Sequence, residues 1–536
     1  MAKRDVVVLN EQASRLEVAQ AGDTYNMPRS LDVQGNVNAT GNVSANSVSV
    51  GGVAANAGEV AAQALRLPGG TVTAPSQISG QTLAASIANG AEADLAVAGQ
   101  PRFALTNGNR TLFAVDQVKG LAGMLGNIAD PLVWLPLRRP EEITGTQAAA
   151  GARYSGQATF TRASTATYID PLDGLLKTAA INTPRFERMA DGGIGLLIEG
   201  SSTNLVLQSE ALDAADWIKA NTTVTANAAV APDGNTTADK LVEGAVSGGH
   251  YIYQLVSVTG GNTYTLSVYA KAAERTVLSI SPYDGVSSYV ADFDLANGTI
   301  TVIAGNPTAK ITQLANGWYR CELTFTVDPA ATTLTAEFVV RQVVGGGPYL
   351  GDGTSGIYLW GAQLEQLPFA SSYIPTATAQ VTRAGDRLYI PAAGNRPDDG
   401  SATGQMTLIA DVEIRGAGAI YQDIFRWNNG STYRILAMDT ATGAFRCHHG
   451  PTPREAGSIN YGTRQRVAVR TDGALMSLWV DGVKVGEWPE EALTADAATT
   501  VGVGCYPNGD TEQLWGIIAN ARIYDRALTD AEMSAA

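Results

Sequence analysis

Charge is scarce in this chain. Asp, Glu, Lys and Arg together make up 16% of 536 residues, against about 25% in ordinary globular proteins. Long solvent-exposed helices need more charge than that, so the polarity must come from Gly, Thr, Asn and Ser in turns and strands. Lys and Arg are outnumbered by Asp and Glu, 36 to 51, for a formal charge of −15. No basic run is longer than the two residues of Arg138-Arg139. Phosphate backbones are held by clustered cations, so binding to nucleic acid is excluded as an expectation. Histidine is nearly absent: His250, His448 and His449 show no zinc-ligand spacing, and the last two, beside Cys447, are expected in a surface loop. Cysteines occur only at 321, 447 and 505, without Cys-x-x-Cys spacing, and are expected as buried free thiols. No apolar run approaches the ~20 residues that span a bilayer, and the N-terminus has no signal-like apolar core, so membrane insertion and signal-directed secretion are not expected. No nucleophile elbow and no phosphate-cradling glycine loop is present.

What is present is β-structure. Between Tyr251 and Thr376, short runs rich in β-branched and aromatic residues alternate with Asp-Gly and Asn-Gly turns at 284–285, 297–298 and 316–317. That pattern predicts an antiparallel sandwich. From Tyr264 to Tyr269 the large apolar residues take alternate positions, as a half-buried strand requires. A second sandwich is predicted over 400–536. Its clearest element is a hairpin from Leu475 to Trp488 with Asp481-Gly482 at the two-residue turn.

The length allows several domains of about 100–200 residues, and the chain divides into five segments. Residues 1–30 read as a tether and 131–204 as a collar or linker, bounded by the prolines at 131, 136 and 140. The sandwiches are placed at 205–390 and 400–536. In residues 31–130, Gly35-Asn36-Val37 recurs as Gly41-Asn42-Val43, a period suited to strands wound about an axis. A short helix is expected within 54–66, and a hairpin about Asn107-Gly108. One copy of such a repeat cannot bury its own apolar face, so lateral partners are implied.

Three motifs, Gly317-Trp318-Tyr319-Arg320, Trp360-Gly-Ala-Gln-Leu-Glu365 and Ser372-Tyr-Ile-Pro-Thr376, resemble the carbohydrate-binding-type β-sandwich of phage fibre and virion structural proteins. The runs 158–170 and 195–205 resemble the collar that precedes it. The ending, Ile517 to Glu532, resembles the last strand of laminin-G-like, concanavalin-type jelly rolls. The resemblance implies a mainly β homotrimeric fibre. Its residues 1–30 would join other virion proteins, its residues 31–130 would form a trimeric shaft, and its sandwiches would meet host surface glycans. A tail fibre in the virion is the expected setting. A capsid-attached fibre, a purely structural virion component and a glycan-degrading tailspike are the alternatives.

A flat aromatic ring offers apolar contact to sugar C–H groups. Tyr251, Tyr253, Tyr283, Tyr289, Trp318, Tyr349 and Trp360 are therefore the glycan-binding candidates, the two tryptophans competing with a core role. No catalytic residue is assigned, although Glu199, Asp292, Asp294, Glu365 and Asp386 lie near the motifs, where turn or surface roles are expected. No cofactor is expected beyond a structural calcium, for which Asp292, Asp294 and Asp352 are the candidate ligands.

Overall fold

The structure is a computed structural model. It describes residues 131–144, 152–397, 405–429, 432–491, 498–507, 509 and 511–535, together with short strands between residues 8 and 115. The chain is mainly β. Residues 1–130 and 131–534 form separate units.

In the N-terminal unit both copies of the repeat begin a strand in a parallel pair. Asn36–Val37 lies beside Arg15–Glu17, and Val43–Ala45 beside Tyr25–Met27. Leu31–Val33 also runs parallel to Val48–Val50, which turns back on Val53–Ala55. The hairpin expected about Asn107-Gly108 forms between Phe103–Asn107 and Arg110–Val115. The helix expected within 54–66 lies outside the described residues, apart from the end of the strand Val53–Ala55.

The larger unit holds two antiparallel sandwiches. In the first, one sheet orders Ile218–Ala220, His250–Ser257, Thr333–Arg341, Val277–Ile280, Val290–Asp294 and Thr299–Ala304. The facing sheet orders Thr222–Ala229, Ala238–Glu243, Gly356–Glu365, Thr263–Ala272, Tyr319–Thr326 and Thr308–Gln313. Ile252, Leu266, Leu278, Phe293, Leu323, Phe338 and Leu359 fill the space between them and are fully buried. Each comes from an every-other-residue apolar position, which puts it on the inner face of its strand.

The second sandwich differs from its expected boundaries. Its central strand Gly516–Tyr524 is buried almost throughout and needs a neighbour on each side. Met406–Ile414 supplies one. The other is made end to end by Ile194–Ile198 and Val133–Leu135. In the opposite sheet Thr159–Thr161 pairs with Arg387–Pro391, which pairs with Thr500–Val503. The segment 131–204 is therefore not simply a collar, because its apolar strands complete the C-terminal core through Val133, Leu135, Phe160, Leu196 and Ile198. Likewise the last strand assigned to 205–390, Arg387–Pro391, belongs to the second sandwich.

The hairpin predicted at Asp481-Gly482 is present. Val480 pairs with Val483, and both turn residues have positive φ, 50° and 78°, the conformation of a type I′ turn. Cys321, Cys447 and Cys505 are buried free thiols. His448 and His449 correct the expected surface loop: they end the strand Ala444–His449 and are buried. Burial and the Arg446 guanidinium lower the His448 pKa to about 4. No helix among the described residues is long and apolar enough to cross a membrane.

Candidate functional site

The two outer faces of the first sandwich have different fates. The face carrying Tyr269, Trp360 and Glu365 is covered. Leu176 from the hairpin Ala166–Ile169/Leu176–Ala179, together with Ala231, Ala238 and Tyr373, closes over Tyr269, Trp318 and Trp360 to make a second small core. Trp318 and Trp360 are each 1% exposed. Their indole N–H groups donate to the Val230 carbonyl (3.0 Å) and the Thr237 hydroxyl (3.1 Å). Neither ring can stack on a sugar, which corrects their candidacy. A large indole is best desolvated with its one donor satisfied, and both obtain that here.

The motif residues around them are mutual locks. Gln363 accepts from the Ile374 amide (2.6 Å), and Glu365 accepts from the hydroxyl of Ser202 and the amide of Ser371. Gly361, at φ 64°, lies where a Cβ would stand 3.0 Å from the Tyr269 ring. The motifs Trp360–Glu365 and Ser372–Thr376 therefore lock each other into a joint.

The opposite outer face is open. Strand His250–Ser257 alternates strictly, with His250, Ile252, Gln254 and Val256 buried. Tyr251, Tyr253 and Leu255 are turned outward. The Tyr251 and Tyr253 ring centroids stand 6.0 Å apart, and Leu255 is 60% exposed. The register carries this row across the sheet. Tyr251 lies opposite Val339, Tyr253 opposite Glu337 and Leu255 opposite Thr335. On the next strand Ser279 pairs with Val339, and Tyr283 bridges to Thr335 with 45% of its surface exposed. Glu337 thus sits in the middle of three tyrosines. Burial raises its pKa to about 7, against smaller opposing effects of Ser281 and Arg341. The Ser279 hydroxyl is buried and has no hydrogen-bond partner among the described residues. One end of the face is bounded by the turn after Arg341. The Arg341 Nε donates to Asp292 Oδ1 (3.1 Å) and the Gly345 amide to Asp292 Oδ2 (2.7 Å), fastening that loop down.

The remaining candidates are placed elsewhere. Tyr289 is buried, its ring stacked on Phe325 at 4.9 Å and its hydroxyl donating to Asp284 (2.9 Å). Burial and that carboxylate push its pKa up to about 12. Tyr349 is half-buried at the end of the sandwich, donating to Glu243 (2.6 Å) beside Arg275. The calcium candidates do not converge. Asp292 is paired with Arg341. Asp294 accepts from the Ala296 and Asn297 amides, and Asp352 from those of Thr354 and Ser355. No group of three His, Cys, Asp or Glu side chains among the described residues is placed to hold a metal ion.

Of the acids near the motifs, Asp294 is the turn former expected. Glu199, Asp292, Glu365 and Asp386 are buried instead of lying on the surface. Asp386 joins Arg162 (3.0 Å) and Arg185, and Glu199 joins Arg185 (2.9 Å) and Arg383 (3.5 Å). Against the cost of burial, Arg383 and Arg185 hold the Glu199 carboxyl well below the usual range. Ser372, whose amide and hydroxyl donate to Glu199, carries this Asp386–Glu199 network to the segment packed on the first sandwich, and both carboxylates are spent in doing so. Sequence reasoning missed Glu337 and Leu255. The signal available was alternation, since Thr335, Glu337 and Val339 are the odd positions of a strand whose even positions are apolar.

Residues 388–534 match a family model described as Concanavalin A-like lectin/glucanases superfamily, in agreement with the second sandwich. The match begins one residue into the strand Arg387–Pro391. Comparison with curated proteins gives no match. Among solved structures, the Ruminococcus gnavus IT-sialidase CBM40 bound to α2,3 sialyllactose is 17% identical over 25% of this chain and 83% of that one, with a TM-score of 0.23. A native heptameric SAP-like pentraxin from Limulus polyphemus is 15% identical over 24% and 68%, at 0.21. Domain 4 of AbnA, a GH43 extracellular arabinanase from Geobacillus stearothermophilus in complex with arabinotriose, is 14% identical over 31% and 80%, at 0.23. These scores are too low to carry a ligand from those chains to this one.

Proposed function

We propose that this chain is a glycan-recognition protein of a virion fibre, and that the open sheet face of the first sandwich holds the saccharide. The observation that carries this is the outward pair Tyr251 and Tyr253, ring beside ring, with Glu337 facing Tyr253 across the strand pair. Adjacent rings offer flat apolar contact to consecutive sugars. Glu337 would exchange hydrogen bonds with sugar hydroxyls, and Tyr283 would close the far side.

In this reading residues 1–30 attach the chain to other virion proteins and residues 31–130 gather three copies into a shaft. Three weak saccharide sites on one stalk raise avidity without any new contact. The motif resemblance supports the fibre setting, and the concanavalin-type match over 388–534 is compatible with a lectin-like outer domain.

The test is binding of the full chain to purified host surface polysaccharide, measured with the Tyr251→Ala/Tyr253→Ala double variant beside it. A loss of at least tenfold with unchanged far-UV circular dichroism is expected. Undiminished binding by the double variant would remove the open face from consideration. Steady release of reducing ends during the same incubation would replace recognition with depolymerisation.

A further inference from the structure

The covered face of the first sandwich is covered only in part. Beside the small tryptophan core it leaves a cleft of about 500 Å³ between the two sandwiches, within the span usual for small-ligand sites, about 300–1,000 Å³. One wall is the outer row of strands Tyr319–Thr326 and Thr308–Gln313, with Arg320, Glu322 and Lys310. The other comes from the second sandwich and includes Tyr461, which is 46% exposed.

Most charges around this cleft are already matched. Arg415 is bound to Glu187 at 2.6 Å, and Glu199 to Arg185 at 2.9 Å. Arg320 is different. Its guanidinium lies 5.5 Å over the Tyr269 ring, its only hydrogen bond among the described residues is a long one to Ser267 Oγ (3.4 Å), and its Nε is sealed from solvent with no partner. No carboxylate of the described residues stands within ion-pairing distance of it, although the chain carries a surplus of 15 acidic charges. Glu322, Glu365 and Glu199 act on it from beyond that distance and, with Tyr269, raise its pKa against the cost of burial, but none of them takes up its hydrogen-bonding edge. A planar guanidinium is also the side chain that best grips a carboxylate through two parallel hydrogen bonds.

We propose that this cleft is a second saccharide site, selective for a carboxylated sugar whose carboxylate pairs with Arg320. The proposal rests on the glycan-recognition reading above and narrows the ligand class at a different place on the same sandwich. Lys310 at the rim, 65% exposed and 4.0 Å from Glu322, adds long-range attraction for the anion. Glu322, one pleat from Arg320 on the same face, accepts from sugar hydroxyls and disfavours doubly charged ligands such as phosphate esters. Tyr461 supplies the flat wall.

The experiment is isothermal titration calorimetry on the full chain. The probes are oligosaccharides bearing galacturonate, glucuronate or N-acetylneuraminate, each beside its methyl ester. At least one acid is expected to bind tenfold or more tightly than its ester. Arg320→Gln should abolish that preference, and Lys310→Glu should weaken acid binding about threefold while leaving the fold untouched at an exposed rim. Should Arg320→Gln fail to fold, the Lys310→Glu result decides. The cleft site is overturned if no acid outbinds its ester, if Arg320→Gln keeps the preference, or, where that variant is unfolded, if Lys310→Glu binds acids as the parent does. Acid preference lost in Tyr251→Ala/Tyr253→Ala but kept in Arg320→Gln sinks the cleft and leaves the open face standing. Preference for the acid with no neutral binding, unaffected by the tyrosine variant, sinks the open face and leaves the cleft.

Discussion

Glu337 occupies a position where its neighbours work against its charge. Its ordinary pKa of 4.5 is raised to about 7 by burial. A carboxyl whose pKa is higher in the folded than in the unfolded chain binds more protons when folded. Stability is therefore greatest below about pH 4.5 for this group and is lost as pH rises through 7. Glu337→Gln removes that loss. The variant should match the parent at pH 4.5 and melt about 2–4 °C higher at pH 8, the shift that 1 kcal/mol makes in a domain of this size. Thermal unfolding at the two pH values checks this, and equal melting temperatures at pH 8 would show that the carboxyl is ionised at no cost. The same titration bears on recognition, because a neutral Glu337 can donate to a sugar hydroxyl and an ionised one cannot.

At the scale of elements, the strand Gly356–Glu365 and the segment 371–376 are held together by the bonds that Gln363 and Glu365 accept. Trp360→Ala would open a cavity in the small core while stranding Thr237, and should cost about 3–5 kcal/mol in chemical denaturation. At the hairpin tip, Gly482 has φ 78° and a Cβ there would stand 2.9 Å from the Ser534 carbonyl oxygen. Gly482→Ala is expected to cost about 1 kcal/mol.

These two cases also mark what the sequence discloses. The Asp481-Gly482 turn is legible because its chemistry is local: two residues dictate φ, and φ dictates the hairpin. The alternation of Tyr264 to Tyr269 likewise gives the strand and its inner face. Trp360 reads equally well as stacking platform or core residue, because what covers it, Leu176 and Tyr373, arrives from far along the chain. The same non-locality hid the strands Ile194–Ile198 and Val133–Leu135. Their apolar runs were visible, but their partner Gly516–Tyr524 lies more than three hundred residues away. At the open face the tyrosines of one strand were legible and Glu337 was not, since only register sets it opposite Tyr253.

Over the whole molecule, the two sandwiches are joined by buried charge. Arg162, Arg185 and Arg383 surround Asp386 and Glu199, drawn from the collar strands and from the stretch between the sandwiches. Removing one member leaves the others buried and uncompensated, which costs about 3–5 kcal/mol. Asp386→Asn should split the calorimetric unfolding of residues 131–534 from one transition into two, because the network crosses the joint rather than either core. A single transition merely shifted downward would place the network's effect inside one sandwich. Glu199 fixes the acid limit of the joint. Its folded pKa is depressed, so its contribution is complete above the ordinary carboxylate range and disappears only as pH falls through its far lower folded value. The joint should therefore survive mild acid, and with it the cleft that depends on the spacing of the sandwiches. The N-terminal unit sets the remaining whole-molecule expectation. Its described strands are short, mostly of three residues, and pair in twos and threes, and sheets of two such strands are marginal without further packing. Sister chains would supply the missing burial. Light scattering on the full chain should then give about three times 55.8 kDa, and a chain lacking residues 1–130 should give a monomer. A monodisperse monomer of the full chain would remove the shaft, and the avidity argument with it.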